Sequence, residues 1–187
     1  MLSTDRLKAM KAIKDEFQEL NSNPICNIGV SVGLVDEDNI FEWRATISGP
    51  TDTSYSGGLF ILSLKFPENY PQKPPEICFI TPIYHININP KVPNMKGGES
   101  LGHVCISTLN WWKPTNKVRE ALTDIFALFY MANPKSPYGL ERADEFLKNR
   151  PLYEEKAKYF TKKYANPNIS DRKYNKDWDF TYKKHKK

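Results

Sequence analysis

No stretch of this sequence approaches the roughly 20 consecutive apolar residues needed to cross a bilayer, so no membrane span is expected. The opening residues, MLSTDRLKAMKAIK, lack the apolar core of a secretory leader and read as the start of a helix. Cysteine is scarce and odd in number, with Cys26, Cys78 and Cys105 only. That speaks against a disulfide framework and for a reducing compartment, cytoplasmic or nuclear. Histidine is equally scarce, at His85, His103 and His185. Cys78, His85, His103 and Cys105 lack the close pairing of structural zinc sites, so no metal is expected. No internal repeat or low-complexity tract precedes the carboxy-terminal tail. What is present suffices for a packed domain: 187 residues, 40% hydrophobic and 13% aromatic.

The net charge of +5 is uneven. From Ser170 onward seven basic residues (Arg172, Lys173, Lys176, Lys183, Lys184, Lys186, Lys187) face three acidic ones (Asp171, Asp177, Asp179), which leaves about +1 for the rest. Such a tail suits solubility or an acidic partner. Nucleic acid is not an expected partner, because no binding motif accompanies the charge.

The chain divides by period. Thr4 is the expected cap of a first helix with Asp5 in its first turn. Leu7, Met10, Ile13, Phe17 and Leu20 recur at spacings of three and four and form its apolar stripe, and Asn21 to Pro24 end it. Three segments of period two follow. Their inward faces are Ile28, Val30, Val32 and Leu34, then Phe41, Trp43, Ala45 and Ile47, then Phe60, Leu62, Leu64 and Phe66. Four prolines between Pro67 and Pro75 remove ladder donors, and Glu76 to Thr81 reads as a short fourth strand. Later, Val118, Ala121, Leu122, Ile125, Phe126, Phe129 and Tyr130 follow a helical pattern broad enough to be buried. Two further helices are expected over about Leu140–Lys148 and Pro151–Tyr164, with Pro151 in a first turn. The fold class is α+β: a helix, a four-stranded antiparallel meander, an extended segment bearing Cys105, then two to three helices.

Cys105 is the candidate nucleophile. A thiol with a reference pKa of about 8.5 needs less activation than a hydroxyl. A hydrolase would need a histidine base, yet His103, two residues before Cys105, would share its strand face without facing it well. A lone cysteine is also commonly a buried structural thiol. The residues alone leave these alternatives open.

Residues from about Arg6 to Tyr164 resemble the catalytic core of the ubiquitin-conjugating enzyme family. The resemblance rests on an ordered series: Ser48-Gly49-Pro50, Tyr55-Ser56-Gly57-Gly58, Phe66-Pro67, Tyr70-Pro71-Gln72-Lys73-Pro74-Pro75, Tyr84-His85-Ile86-Asn87, Cys105-Ile106-Ser107, Trp112-Lys113-Pro114 and Asn133-Pro134. It implies a catalytic core over residues 1–166, a basic tail over 167–187, and a transferase working by acyl transfer through a cysteine thioester. Cys105 would accept ubiquitin, or a ubiquitin-like protein, from an activating enzyme. It would then pass the modifier to a substrate lysine or to a RING- or HECT-type ligase. No cofactor is bound directly, because ATP is used by the activating enzyme upstream. The resemblance further implies that Asn87 supports the oxyanion or the nearby loop, that Ser136 occupies the gate position, and that Tyr84 and His85 are structural. Gln72, Lys113 and Pro114 would face the ligase, and Lys8, Lys11 and Lys14 the activating enzyme.

The departures are local. The family motif is His-Pro-Asn, whereas here the middle residue is Ile86. Seventeen residues, Ile88 to Val104, separate Asn87 from Cys105, more than the family usually has. The surplus, around Val92 to Gly102, reads as a surface loop near the site. Two functional classes follow: an active conjugating enzyme, or a catalytically weak or inactive relative that binds ubiquitin or a partner enzyme.

Overall fold

The computed structural model describes residues 3–25, 29–89 and 102–167. Cys26, Ile28, most of the expected Val92–Gly102 loop and the basic tail from Ser170 lie outside them.

Helix α1 (Thr4–Ser22) is capped one residue earlier than expected, by Ser3, whose hydroxyl accepts from the Arg6 N–H at 3.2 Å. Its buried residues are Ala9, Ile13 and Leu20. Leu7 instead is 52% exposed. At about 100° per residue it sits some 200° round the helix from Ala9, away from the sheet-facing side. Ile13, Phe17 and Leu20 of the expected stripe meet the core, and Leu7 alone is exposed among its large side chains.

Strands β1 (Val30–Leu34), β2 (Glu42–Ser48), β3 (Leu59–Lys65) and β4 (Glu76–Phe79) form one antiparallel sheet in sequence order. The register lines up matching side chains: Val32, Ala45, Leu62 and Phe79 form one rung across all four strands. Leu34, Trp43, Leu64 and Ile77 form another. Alternation sends these rows to one face, so a one-residue slip would expose all of them. Trp43 is fully buried, with Phe17 and Phe66 against its ring at 5.1 and 4.6 Å between centroids. Truncating such a residue to alanine typically costs about 3–5 kcal/mol.

Helix α3 (Val118–Leu128) buries Val118, Ala121, Leu122 and Ile125. Just past its end, Phe129 packs on Tyr55, Phe60 and Phe79. Tyr130, expected on the same stripe, is exposed, because the helix has already ended and its period no longer directs the side chain. Glu16 of α1 holds the start of α3: its carboxylate accepts from the Val118 N–H at 2.8 Å and from the Tyr70 hydroxyl at 2.5 Å. Helix α2 (Ser107–Asn110) is a single turn, too short to show a period. Helices α4 (Leu140–Lys148) and α5 (Arg150–Tyr164) match the expected ranges, with Pro151 in the first turn of α5. The Leu59 N–H donates to the Ala165 carbonyl at 2.8 Å, which ties the end of α5 to the start of β3. Among the described residues no helix is long and apolar enough to cross a membrane.

Candidate active site

Cys105 is placed by two short ladders. On one side its own N–H donates to the Asn87 carbonyl at 2.9 Å, and the Asn89 N–H donates to the His103 carbonyl at 2.9 Å. Ile88 and Val104 form the bridge between those bonds. On the other side the Phe79 N–H donates to the Gly102 carbonyl at 2.8 Å, and Cys78 bridges His103. The Gly102 N–H returns to the Asn89 carbonyl at 3.2 Å. Asn89 and Gly102 are thus paired to each other in one hydrogen-bonded stem. Gly102 is required there: its φ is +81°, and a Cβ would lie 2.2 Å from the Phe79 oxygen.

Cys105 is half-buried. Ser136 Oγ lies 3.1 Å from Sγ, and the Asn110 side-chain amide donates to it at 3.4 Å. His103 is turned to another partner, with Nδ1 2.6 Å from the Tyr138 hydroxyl. His85 is buried and neutral. Its Nδ1 accepts from the Asn87 N–H at 3.0 Å, which leaves Nε2–H to donate to the Leu128 carbonyl at 3.0 Å. Burial lowers its pKa to about 4, and both of its ring nitrogens are engaged away from the thiol, so His85 cannot serve the thiol as a protease base would. Among the described residues no cluster of histidine, cysteine and acidic side chains could hold a metal ion.

Asn87 is entirely buried and its side-chain amide is fully engaged. Nδ2 donates to the carbonyls of Asn133 (2.7 Å) and Ser136 (2.8 Å), and Oδ1 accepts from the Asn133 N–H at 2.8 Å. The amide therefore grips the loop that carries Ser136, and both of its N–H groups point at backbone oxygens.

The Tyr84, His85, Ile86 and Asn87 carbonyls and the Ile86 and Asn87 N–H groups all have partners, as buried groups require. The Tyr55 hydroxyl donates to the Tyr84 carbonyl at 3.0 Å, and Arg142 reaches the His85 carbonyl at 3.5 Å. The Ile86 N–H donates to the Tyr153 hydroxyl at 3.2 Å, and the Ile86 carbonyl accepts from the Tyr138 N–H at 2.6 Å. The Arg142 guanidinium lies over the Tyr84 ring at 4.4 Å. The Tyr84 hydroxyl donates to Glu145 at 2.8 Å, and Lys156 pairs with the same carboxylate. Burial pushes the Tyr55, Tyr84 and Tyr153 hydroxyls above the ordinary tyrosine pKa, so all stay protonated near neutral pH.

The other expected residues lie apart from this centre. Gln72, Lys113 and Pro114 are exposed, and the Trp112 indole N–H ties their two loops together by donating to the Pro71 carbonyl at 2.8 Å. Lys8, Lys11 and Lys14 are exposed along α1. The pattern gave no notice of Tyr138, Arg142 or Tyr153, whose positions read as ordinary loop and helix residues. Asn110 carried only its closeness in sequence to Cys105.

One comparison with known families bears on this site: the family model described as ubiquitin-conjugating enzyme matches residues 12–161, from α1 to within α5.

Proposed function

This chain belongs to the ubiquitin-conjugating enzyme family, and on that premise we propose that it is an active transferase with Cys105 as its thioester nucleophile. The observation that carries this reading is the half-buried Cys105, its sulfur flanked by Ser136 and Asn110 and its N–H held by the carbonyl of a buried Asn87.

In the first step the Cys105 thiolate attacks the carbonyl that joins the modifier's carboxy-terminal glycine to the activating enzyme. A new C–S bond forms, the old one breaks, and the activating enzyme leaves as its own thiolate. In the second step a neutral lysine amine attacks the Cys105 thioester. The C–N bond forms, the Cys105 thiolate leaves, and the amine's proton passes to water. At pH 7 only about one lysine in 10³ is neutral, so shielding the amine from water beside the thioester raises the reactive fraction. Ser136, at the mouth of the site, offers that amine a hydroxyl. Asn87 acts through its grip on the Ser136 loop. The exposed Lys8, Lys11 and Lys14 suit contact with the activating enzyme, and Gln72, Lys113 and Pro114 suit contact with a ligase. The work belongs to the cytoplasm or nucleus, with ATP consumed upstream.

The test is a charging assay with an activating enzyme, ATP and ubiquitin, or each ubiquitin-like protein with its own activating enzyme, read on a non-reducing gel. An adduct heavier by one modifier should appear, vanish with thiol reductant, and be absent in Cys105→Ala. In Cys105→Ser it should be replaced by a reductant-resistant ester. No adduct with any modifier would reject the enzyme and favour the binding-only relative.

A further inference from the structure

A proline at position 86 would have no N–H, but Ile86 has one, and it is buried directly behind the nucleophile's neighbour Asn87. An unpartnered N–H there would pull the segment towards any acceptor it could reach. Its partner is the Tyr153 hydroxyl on α5, 3.2 Å away. That hydroxyl lies 3.5 Å from the Tyr55 hydroxyl, which donates to the Tyr84 carbonyl at 3.0 Å. Two tyrosines from distant parts of the chain thus bridge the backbone groups on either side of His85. The Tyr153 ring is wedged in place by Tyr84 and Phe146, with centroids at 5.4 and 5.0 Å. We propose that Tyr153 is a positioning residue: with Tyr55, it fixes the Ile86–Asn87 backbone by hydrogen bonding, in place of the rigidity a proline ring would supply.

The consequence for catalysis passes through Asn87. Its carbonyl receives the Cys105 N–H, and its side chain holds the Ser136 loop, so a shift at Ile86 displaces both walls of the site together. The geometry also makes positions 86 and 153 mutually exclusive in one combination. A proline ring at 86 would put a carbon where the N–H now points, on top of the Tyr153 hydroxyl. Removing that hydroxyl opens the space.

This inference rests on the proposed function, and the test separates the two. Four full-length proteins are compared: wild type, Tyr153→Phe, Ile86→Pro, and the double variant. Each is charged with the modifier that the charging assay identifies, then discharged to free lysine. Both single variants should charge at near the wild-type rate but discharge about tenfold more slowly, because misplacement of reacting groups is felt mainly in the chemical step. The double variant should recover most of the discharge rate. Amide exchange in the uncharged protein adds a readout independent of turnover: the Ile86 N–H should exchange at least tenfold faster in Tyr153→Phe than in wild type. Additive losses in the double variant overturn the inference, as does an unchanged discharge rate or an unchanged Ile86 exchange rate in Tyr153→Phe. A wild-type chain that forms no thioester overturns the function itself, and the positioning role with it.

Discussion

Asn87 and Asn133 are bonded to each other in both directions: the Asn87 amide donates to the Asn133 carbonyl at 2.7 Å, and its oxygen accepts from the Asn133 N–H at 2.8 Å. This reciprocal pair, with the third bond to the Ser136 carbonyl, makes Asn87 the tether of the loop facing the nucleophile. Replacing it leaves one buried N–H and two carbonyls without partners, at a cost of about 1–3 kcal/mol for each unsatisfied group. Asn87→Ala should therefore lower the urea midpoint, speed amide exchange at Asn133, and slow discharge to lysine while charging persists. Equal slowing of charging and discharge would show that the residue supports the fold and not the second step.

Ser136 touches the thiol directly, at 3.1 Å. Its hydroxyl can donate to the sulfur, and hydrogen bonds to a charged acceptor are stronger than neutral ones. Ser136→Ala should slow iodoacetamide alkylation of Cys105 at pH 7 several-fold. Ser136→Asp should slow alkylation further, since a carboxylate beside the sulfur opposes the thiolate, and yet speed discharge by attracting the lysine ammonium. Alkylation rates indifferent to both changes would remove Ser136 from the site.

His85 links stability to pH. Its folded pKa of about 4 lies below the ordinary value of 6.5, because burial disfavours the charged ring. Between those values the unfolded chain takes up a proton that the folded chain refuses. The contribution of His85 is thus fully present above pH 6.5 and is lost as pH falls towards 4. Wild type should lose about 2 kcal/mol more than His85→Gln between pH 7 and pH 5, measured by urea unfolding. Glu16, whose carboxyl is pushed up by burial, acts in the opposite direction but is common to both proteins. Parallel pH profiles would show that His85 is not held neutral by burial.

Gly102 closes the stem that pairs it with Asn89 and Phe79. Its positive φ and the 2.2 Å approach to the Phe79 oxygen leave no room for a side chain. Gly102→Ala should destabilise the fold by at least about 1–3 kcal/mol, the usual cost of a strained left-handed residue. Thermal unfolding is the check, and a variant as stable as wild type would contradict this seating of the stem.

The architecture was legible because its signals are local and repeated. Alternation in Trp43–Ile47 and Phe60–Leu64 writes the sheet, and the spacing of Val118 to Ile125 writes the buried helix, since each period is enforced residue by residue. Cys105 and the Tyr84–Asn87 segment could be singled out through their place in an ordered motif series. Where the reading slipped, at Thr4, Leu7 and Tyr130, it was at helix ends and on helix faces, where one residue or one rotation changes the outcome and only packing chooses. The partners of the site were a different matter. Asn87 meets Asn133 and Ser136 from more than 40 positions away, and Ile86 meets Tyr153 from 67. No period connects residues so distant in sequence. By itself, then, the sequence determined the order of the elements, the alternating faces of the strands and the presence of one thiol in a family motif. Only the tertiary structure decided that a tyrosine on α5 answers the N–H of Ile86, and that the amide of Asn87 is occupied by a loop. Such bonds form between elements only after packing has brought them within about 3 Å.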